Sequence, residues 1–402
     1  MKTAKQTFQY IFQWLCLSLM IAIIGGSLVS IYLLLINEGE KVRAHYQWII
    51  LLLPFVGALC AYLYQRMPAQ VGNNWLIHGV NQQLRPMPWR ALPISFFGTI
   101  ASHWVGASIG REDIATQLIG NVMMNMTQSF SLSKTQRQYL MMAVIGAGFS
   151  AAFGTPIAAT FFAMEVVKRR HIHVDALFPI ALTSLFTYGV TCLYRVPRRP
   201  FDVGGIPEFE FSALWLLVIA SLCFGAVGFF YYKGIGWIQT LASRWLKQPI
   251  WIAMSGGIIL LIFVMLTKST TYLGLSTVLQ QKAIEGHVSF FDFLWKDLYT
   301  IFSVGTGFRG GMMTPLFDIG ATFGNSLGQL LHVNPHFMAS LGLVGIFSAA
   351  TNTPLTCFVL GVELFGGDGA LYYFIVSILS CLFSGHWSVF ATQKESVYEN
   401  ML

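Results

Sequence analysis

Apolar residues recur along this chain in long runs divided by short polar stretches, at residues 11–36, 46–65, 138–167, 174–194, 211–232, 250–267, 336–364 and 370–383. Several runs reach the roughly 20 residues that a helix needs to cross bilayer hydrocarbon. The pattern predicts an all-α protein that traverses a membrane many times. The first run follows only Lys2 and Lys5, lacks a small-residue cleavage site and is succeeded by further spans, so it reads as a retained helix and not as a removed signal peptide.

Composition sharpens this picture. Of 402 residues, 55% are hydrophobic and 10% charged, against about 25% charged in a soluble domain, which excludes an ordinary water-soluble enzyme. The net charge of +7 raises the question of nucleic acid, but the basic residues cluster between runs: Lys168, Arg169 and Arg170; Arg195, Arg198 and Arg199; Arg244 and Lys247. Such clusters mark membrane-flanking loops, so no nucleic-acid partner is expected. Six scattered cysteines and the isolated His78, His103 and His386 lack the spacing of a disulfide framework or a zinc site. Neither a metal nor any other cofactor is expected.

Two segments repeat. Phe149-Ser150-Ala151-Ala152-Phe153-Gly154-Thr155-Pro156 parallels Phe347-Ser348-Ala349-Ala350-Thr351-Asn352-Thr353-Pro354, and each proline is followed nine residues on by a glutamate, Glu165 or Glu363. Upstream, Gly110-Arg111-Glu112-Asp113-Ile114 and Gly311-Met312-Met313-Thr314-Pro315 both open an apolar helix after a glycine-rich turn. One membrane domain over 1–402 is therefore expected to consist of two repeat halves, 1–195 and 211–402, with the seam near 195–210. Periodicity alone leaves open whether the halves are inverted or parallel.

The repeated segments are rich in Gly and Pro and interrupt the apolar runs. Broken helices survive in a bilayer only where protein or a water-filled cavity surrounds the freed backbone groups, which points to a transport site. The first amides of a helix lack intrahelical partners and carry roughly half a positive charge, so converging helix starts can hold an anion without a fixed cation.

Glu112 is the leading functional candidate, because a carboxylate at an apolar helix start is expensive in a membrane. Ionised, it would plug the pore; protonated, it would release the site and carry a proton along part of the path. A structural pair with Arg111 is the competing reading. Asp113 reads as the N-cap of a helix beginning near Ile114, and Glu165 as an interfacial ion-pair partner of Lys168, Arg169 and Arg170. Asn73, in the polar break Gly72-Asn73-Asn74, can donate to an anion or simply cap a helix. Met312, Met313 and Thr314 offer backbone amides, with the Thr314 hydroxyl as a further ligand. Gly106-Ala107-Ser108-Ile109-Gly110 formally matches a nucleophile elbow, but that motif needs a preceding strand, so an intramembrane hydrolase using Ser108 is a remote alternative.

These strings resemble the CLC family of chloride channels and anion/proton exchangers, whose signatures G-R-E-G-P and G-x-F-x-P correspond to Gly110–Ile114 and Gly311–Pro315. The wider run 305–317, with Ile319-Gly320-Ala321-Thr322, Phe153-Gly154-Thr155-Pro156, Asn352-Thr353-Pro354 and Gly385-His386, is similar to the fluoride-exporting branch, CLC-F. The resemblance runs from about residue 70 to 393. It implies two antiparallel halves with broken helices meeting at mid-membrane, a homodimer with one pore per subunit, and Glu112 as the external gate. Asn73 falls at the serine of G-S-G-I-P, and Val166 stands where chloride/proton exchangers carry an internal proton-transfer glutamate. Two positions depart: Asp113 replaces a glycine, and Phe390 replaces the central tyrosine, leaving an aromatic edge in place of a hydroxyl. The expected anion contacts are Asn73, Arg111, Met312, Met313, Thr314 and Phe390. The function so implied is fluoride export against protons across a cell membrane, that of a bacterial inner membrane, with a chloride channel or chloride/proton exchanger as the alternative. No soluble regulatory domain is expected.

Overall fold

A computed structural model describes residues 2–67, 76, 77, 80, 87–167, 173–198, 201–286, 288–385 and 387–390. Among them there are no strands. The chain begins with α1 (Lys2–Met20), which passes through a π-helical turn at Ile21–Gly26 into α2 (Ser27–His45). Then come α3 (Leu53–Gln65), α4 (Ala91–Val105), α5 (Glu112–Met126), α6 (Lys134–Phe153), α7 (Pro156–Glu165) and α8 (Leu177–Leu193). The second half holds α9 (Leu214–Trp245), α10 (Pro249–Thr267), α11 (Thr277–Glu285), α12 (Asp292–Gly305), α13 (Thr314–Leu330), α14 (Pro335–Thr351), α15 (Pro354–Phe365) and α16 (Ala370–Phe383).

Length and exposure divide these helices into two kinds. Among the described residues, five helical stretches are long and apolar enough to cross a membrane: Lys5–His45, Gln47–Gln65, Val174–Leu193, Leu214–Trp245 and Pro249–Thr267. They leave large apolar side chains such as Phe8, Phe55, Leu193, Phe230 and Leu266 uncovered, as lipid-facing helices do. Others are buried within the protein. All residues of α14 from Phe337 to Thr351 are buried, and α13 packs on it backbone to backbone, because a Cβ on Gly320, Gly324 or Gly342 would run into the opposite main chain. Small residues permit that approach where lipid gives helices no hydrophobic reason to associate.

The repeated strings fold alike. Gly154 (φ 76°) and Asn352 (φ 55°) end α6 and α14 in left-handed conformation, a Thr follows, and Pro156 and Pro354 open the next helix at its first turn. The runs 138–167 and 336–364 are thus each two helices. Their glutamates settle the orientation of the halves. Glu165 accepts from the amides of Leu355 (3.1 Å) and Thr356 (2.8 Å) and from the Thr356 hydroxyl (2.7 Å), while Glu363 accepts from the amides of Ile157 (3.1 Å) and Ala158 (2.8 Å). The end of each helix caps the start of the other, so α7 and α15 lie antiparallel and the halves are inverted. These partners are ones the sequence did not suggest for Glu165: in a low-dielectric interior a carboxylate is held by the otherwise unpaired amides of a helix start. Lys168, Arg169 and Arg170 lie outside the described residues.

Candidate functional site

The two glycine-rich turns meet at the centre. Gly106 (φ 101°) stops α4, and the chain then runs to Gly110, whose N–H donates to the Gly311 carbonyl (2.6 Å) while the Gly311 N–H donates to the Gly110 carbonyl (2.8 Å). This reciprocal pair aims the starts of α5 and α13 at one another. Glu112 opens α5, and its fully buried carboxylate reaches the start of α13: Oε1 accepts from the Met313 N–H (2.7 Å) and Oε2 from the Thr314 hydroxyl (2.5 Å). Helix α13 has no side-chain cap of its own, so this carboxylate satisfies an amide, that of Met313, which would otherwise be orphaned. A Cβ on either Gly110 or Gly311 would strike this carboxylate where it now sits.

Met312 contributes differently from Met313. Its carbonyl accepts from the buried Tyr231 hydroxyl of α9 (2.7 Å). The Met312 C=O and the Met313 N–H are the two ends of one planar peptide, so Tyr231 sets the plane of the very amide that holds Glu112. Nothing in the apolar run 211–232 distinguishes Tyr231 from a packing residue, and the sequence reading missed it.

Arg111 and Asp113 flank Glu112 on opposite sides of a partition. Arg111 lines a vestibule of about 520 Å³ together with Arg43, Arg198, Phe153, Thr314 and Phe317. Its Nε has no hydrogen-bond partner, and it forms no ion pair with Glu112 among the described residues. Asp113 lines a cavity of about 20 Å³ with Gln117, Phe162, Met313 and Phe390, room for roughly one water-sized particle. Asp113 is not the N-cap that the sequence suggested. Helix α5 starts two residues earlier, and the Asp113 side chain accepts from Gln117 Nε2 one turn on (3.2 Å). Phe390 is buried against this cavity, 5.9 Å from Phe162 between ring centroids. A file of aromatic rings, Phe153, Phe317, Phe347, Phe149, Phe162 and Phe390, connects the vestibule to the small cavity with centroid spacings of 4.4–6.4 Å. Asn73 lies outside the described residues.

Ser108 has the wrong surroundings for a nucleophile. It is fully buried, no strand precedes it, and its hydroxyl is engaged by Thr300 (2.8 Å) and by the Lys296 ammonium (3.0 Å). Among the described residues no His, Cys, Asp and Glu group has metal-site geometry.

Inverted halves, interrupted helices and a carboxylate seated on a helix start define a multi-pass membrane transporter. Residues 56–385 match the family model for voltage-gated chloride channels, and the chain belongs to that family, the CLC proteins. It is 32% identical over 395 residues to the chloride/fluoride channel protein of Pseudomonas syringae pv. tomato, covering 96% of this chain and 87% of that one. It is 25% identical over 354 residues to the H(+)/Cl(-) exchange transporter ClcA of Cronobacter sakazakii, covering 81% and 75%. The crystal structure of a CLC-type fluoride/proton antiporter superposes with a TM-score of 0.89 at 27% identity, covering 95% of this chain and 98% of that one. Members of this family move ions and are not enzymes, so the hydrolase alternative falls away.

Proposed function

We propose that this protein exports fluoride in exchange for protons, with Glu112 as both gate and proton carrier, and that it works as a homodimer in a bacterial inner membrane. The observation that carries the reading is the Glu112 carboxylate on the Met313 amide and the Thr314 hydroxyl. An anion seated there accepts the same two hydrogen bonds, each worth about 1.5–3 kcal/mol when one partner is charged, and gains from the positive end of the α13 dipole. Carboxylate and free anion therefore compete. Protonation removes the carboxylate's charge, weakens both bonds and frees the site, so proton uptake and anion entry are linked by exclusion.

Arg111 in the vestibule draws anions toward the gate, and the small cavity beneath it admits a partly dehydrated ion of water size. Met313 and Phe390 line that cavity, the ring edge of Phe390 supplying the weak positive field that a tyrosine hydroxyl would otherwise supply. Met312 acts through its peptide with Met313, and Asn73 is assigned the remaining contact. The likeness to a chloride/fluoride channel protein and to a fluoride/proton antiporter supports fluoride as the cargo.

The test is anion efflux from proteoliposomes loaded with fluoride or chloride, with internal pH followed, for the wild type and Glu112→Gln. Fluoride efflux with opposing proton movement, uncoupled or abolished by the substitution, is expected. Chloride flux without fluoride preference would move the protein to the chloride side of the family, and absence of both fluxes would sink the transport reading.

A further inference from the structure

Behind the gate lies a charged group that the exchange scheme leaves unused. Lys296 of α12 is fully buried, and its ammonium has five oxygens within 3.5 Å: Ser276 Oγ (2.7 Å), Ser108 Oγ (3.0 Å) and the carbonyls of Gly274 (3.0 Å) and Tyr272 (3.3 Å), with Asp318 Oδ2 at 3.5 Å. An ammonium has three protons to donate. Five oxygens exceed that number, and they are hydroxyls, carbonyls and one carboxylate, the ligand set of a hard cation. Removing an ion from water costs several kcal/mol, and oxygens arranged in this way offset that cost for a cation. Asp318 underlines the point. Both its oxygens are buried, and among the described residues the Lys296 ammonium is the one cation paired with it, at 3.5 Å.

The cage joins the two parts of the gate. Ser108 lies in the turn that leads to Glu112, two residues before the Gly110–Gly311 pair, and its N–H is fixed by Ser303 Oγ of α12 (3.0 Å). Asp318 lies on α13 four residues after Thr314, one turn from the groups that receive the Glu112 carboxylate. The loop 272–276 closes the third side and is itself held by Glu40, which accepts from the Leu275 N–H (2.8 Å), with Arg43 beside it.

We propose that Lys296 is a tethered cation: its ammonium occupies a cation cage that holds the Glu112 turn and the start of α13 in register, and a small monovalent cation can take its place when the side chain is cut back. Lys296 is thus a positioning residue for the exchange proposed above, on which this inference rests for its flux readout.

The test uses the full chain carrying Lys296→Ala, purified in sodium throughout so that a substitute ion is present from the start. Fluoride efflux is measured from proteoliposomes in sodium, in methylammonium and in the bulky cation N-methylglucamine. The variant should lose at least ten-fold in rate in N-methylglucamine and recover saturably with sodium or methylammonium, while the wild type is indifferent to the cation. Thermal unfolding in detergent is followed in parallel, and sodium should raise the midpoint of Lys296→Ala but not of the wild type. That second readout stands even if the wild type moves no anion, which separates failure of this inference from failure of the transport reading. Equal behaviour of Lys296→Ala in all three cations, active or inactive, would overturn it. Should Lys296→Ala give no folded protein even in sodium, Asp318→Asn carries the test: a ten-fold loss of flux in a folded variant is expected, and wild-type flux overturns the cage.

Discussion

Tyr231→Phe removes one hydroxyl and almost no volume, which isolates what the phenol does for the gate. Two effects follow from its 2.7 Å bond to the Met312 carbonyl. The first is local. A buried carbonyl left unpaired costs about 1–3 kcal/mol, so the turn 311–313 is less well held and the variant should unfold at a lower temperature. The second acts on the site. The bond polarises the peptide that presents the Met313 N–H, and chained hydrogen bonds strengthen one another by roughly 10–30%. Applied to a charge-assisted bond of about 1.5–3 kcal/mol, this gives about 0.15–0.9 kcal/mol, or roughly 1.3- to 5-fold in anion affinity. Efflux from proteoliposomes at graded fluoride concentrations should show half-saturation raised by that factor with proton coupling retained. An unchanged fluoride dependence together with an unchanged unfolding midpoint would mean that α13 alone orients the peptide and that Tyr231 merely packs.

Two further substitutions probe the same frame. Gly311→Ala places a methyl on the Glu112 carboxylate and should expel it from α13, giving fluoride movement no longer tied to internal pH; wild-type coupling in this variant would refute the seating of the gate. Glu165→Gln weakens the cap on α15 and should cost about 1–2 kcal/mol of stability, the range for a lost N-cap, read as a lower midpoint of thermal inactivation. Its fluoride-to-proton ratio should stay at the wild-type value, and a changed ratio would make Glu165 a proton station.

The features legible in the sequence were those that break a local rule. Gly154-Thr155-Pro156 and Asn352-Thr353-Pro354 interrupt apolar runs, and helices break there. Glu112 stands out because a carboxylate in an apolar stretch demands a partner, and the partner proved to be the start of α13. What stayed hidden depends on residues far apart in the chain. Glu165 accepts hydrogen bonds from residues 190 and 191 positions on, which no local pattern announces. Lys296 sits in an amphipathic stretch where a single lysine reads as a solvated face, and only the fold brings Ser108, 188 residues distant, to its ammonium. Asp113 was misread because the start of α5 is set by the position of Glu112, and so by the second half.

The Glu112 carboxylate and the amide that receives it are 201 residues apart. At a synthesis rate of about 5–20 residues per second, the ribosome delivers Met313 roughly 10–40 s after Glu112. For that interval the Glu112 carboxylate has no α13 start to sit on. Conditions that slow translation of the second half lengthen the interval before α13 can receive Glu112.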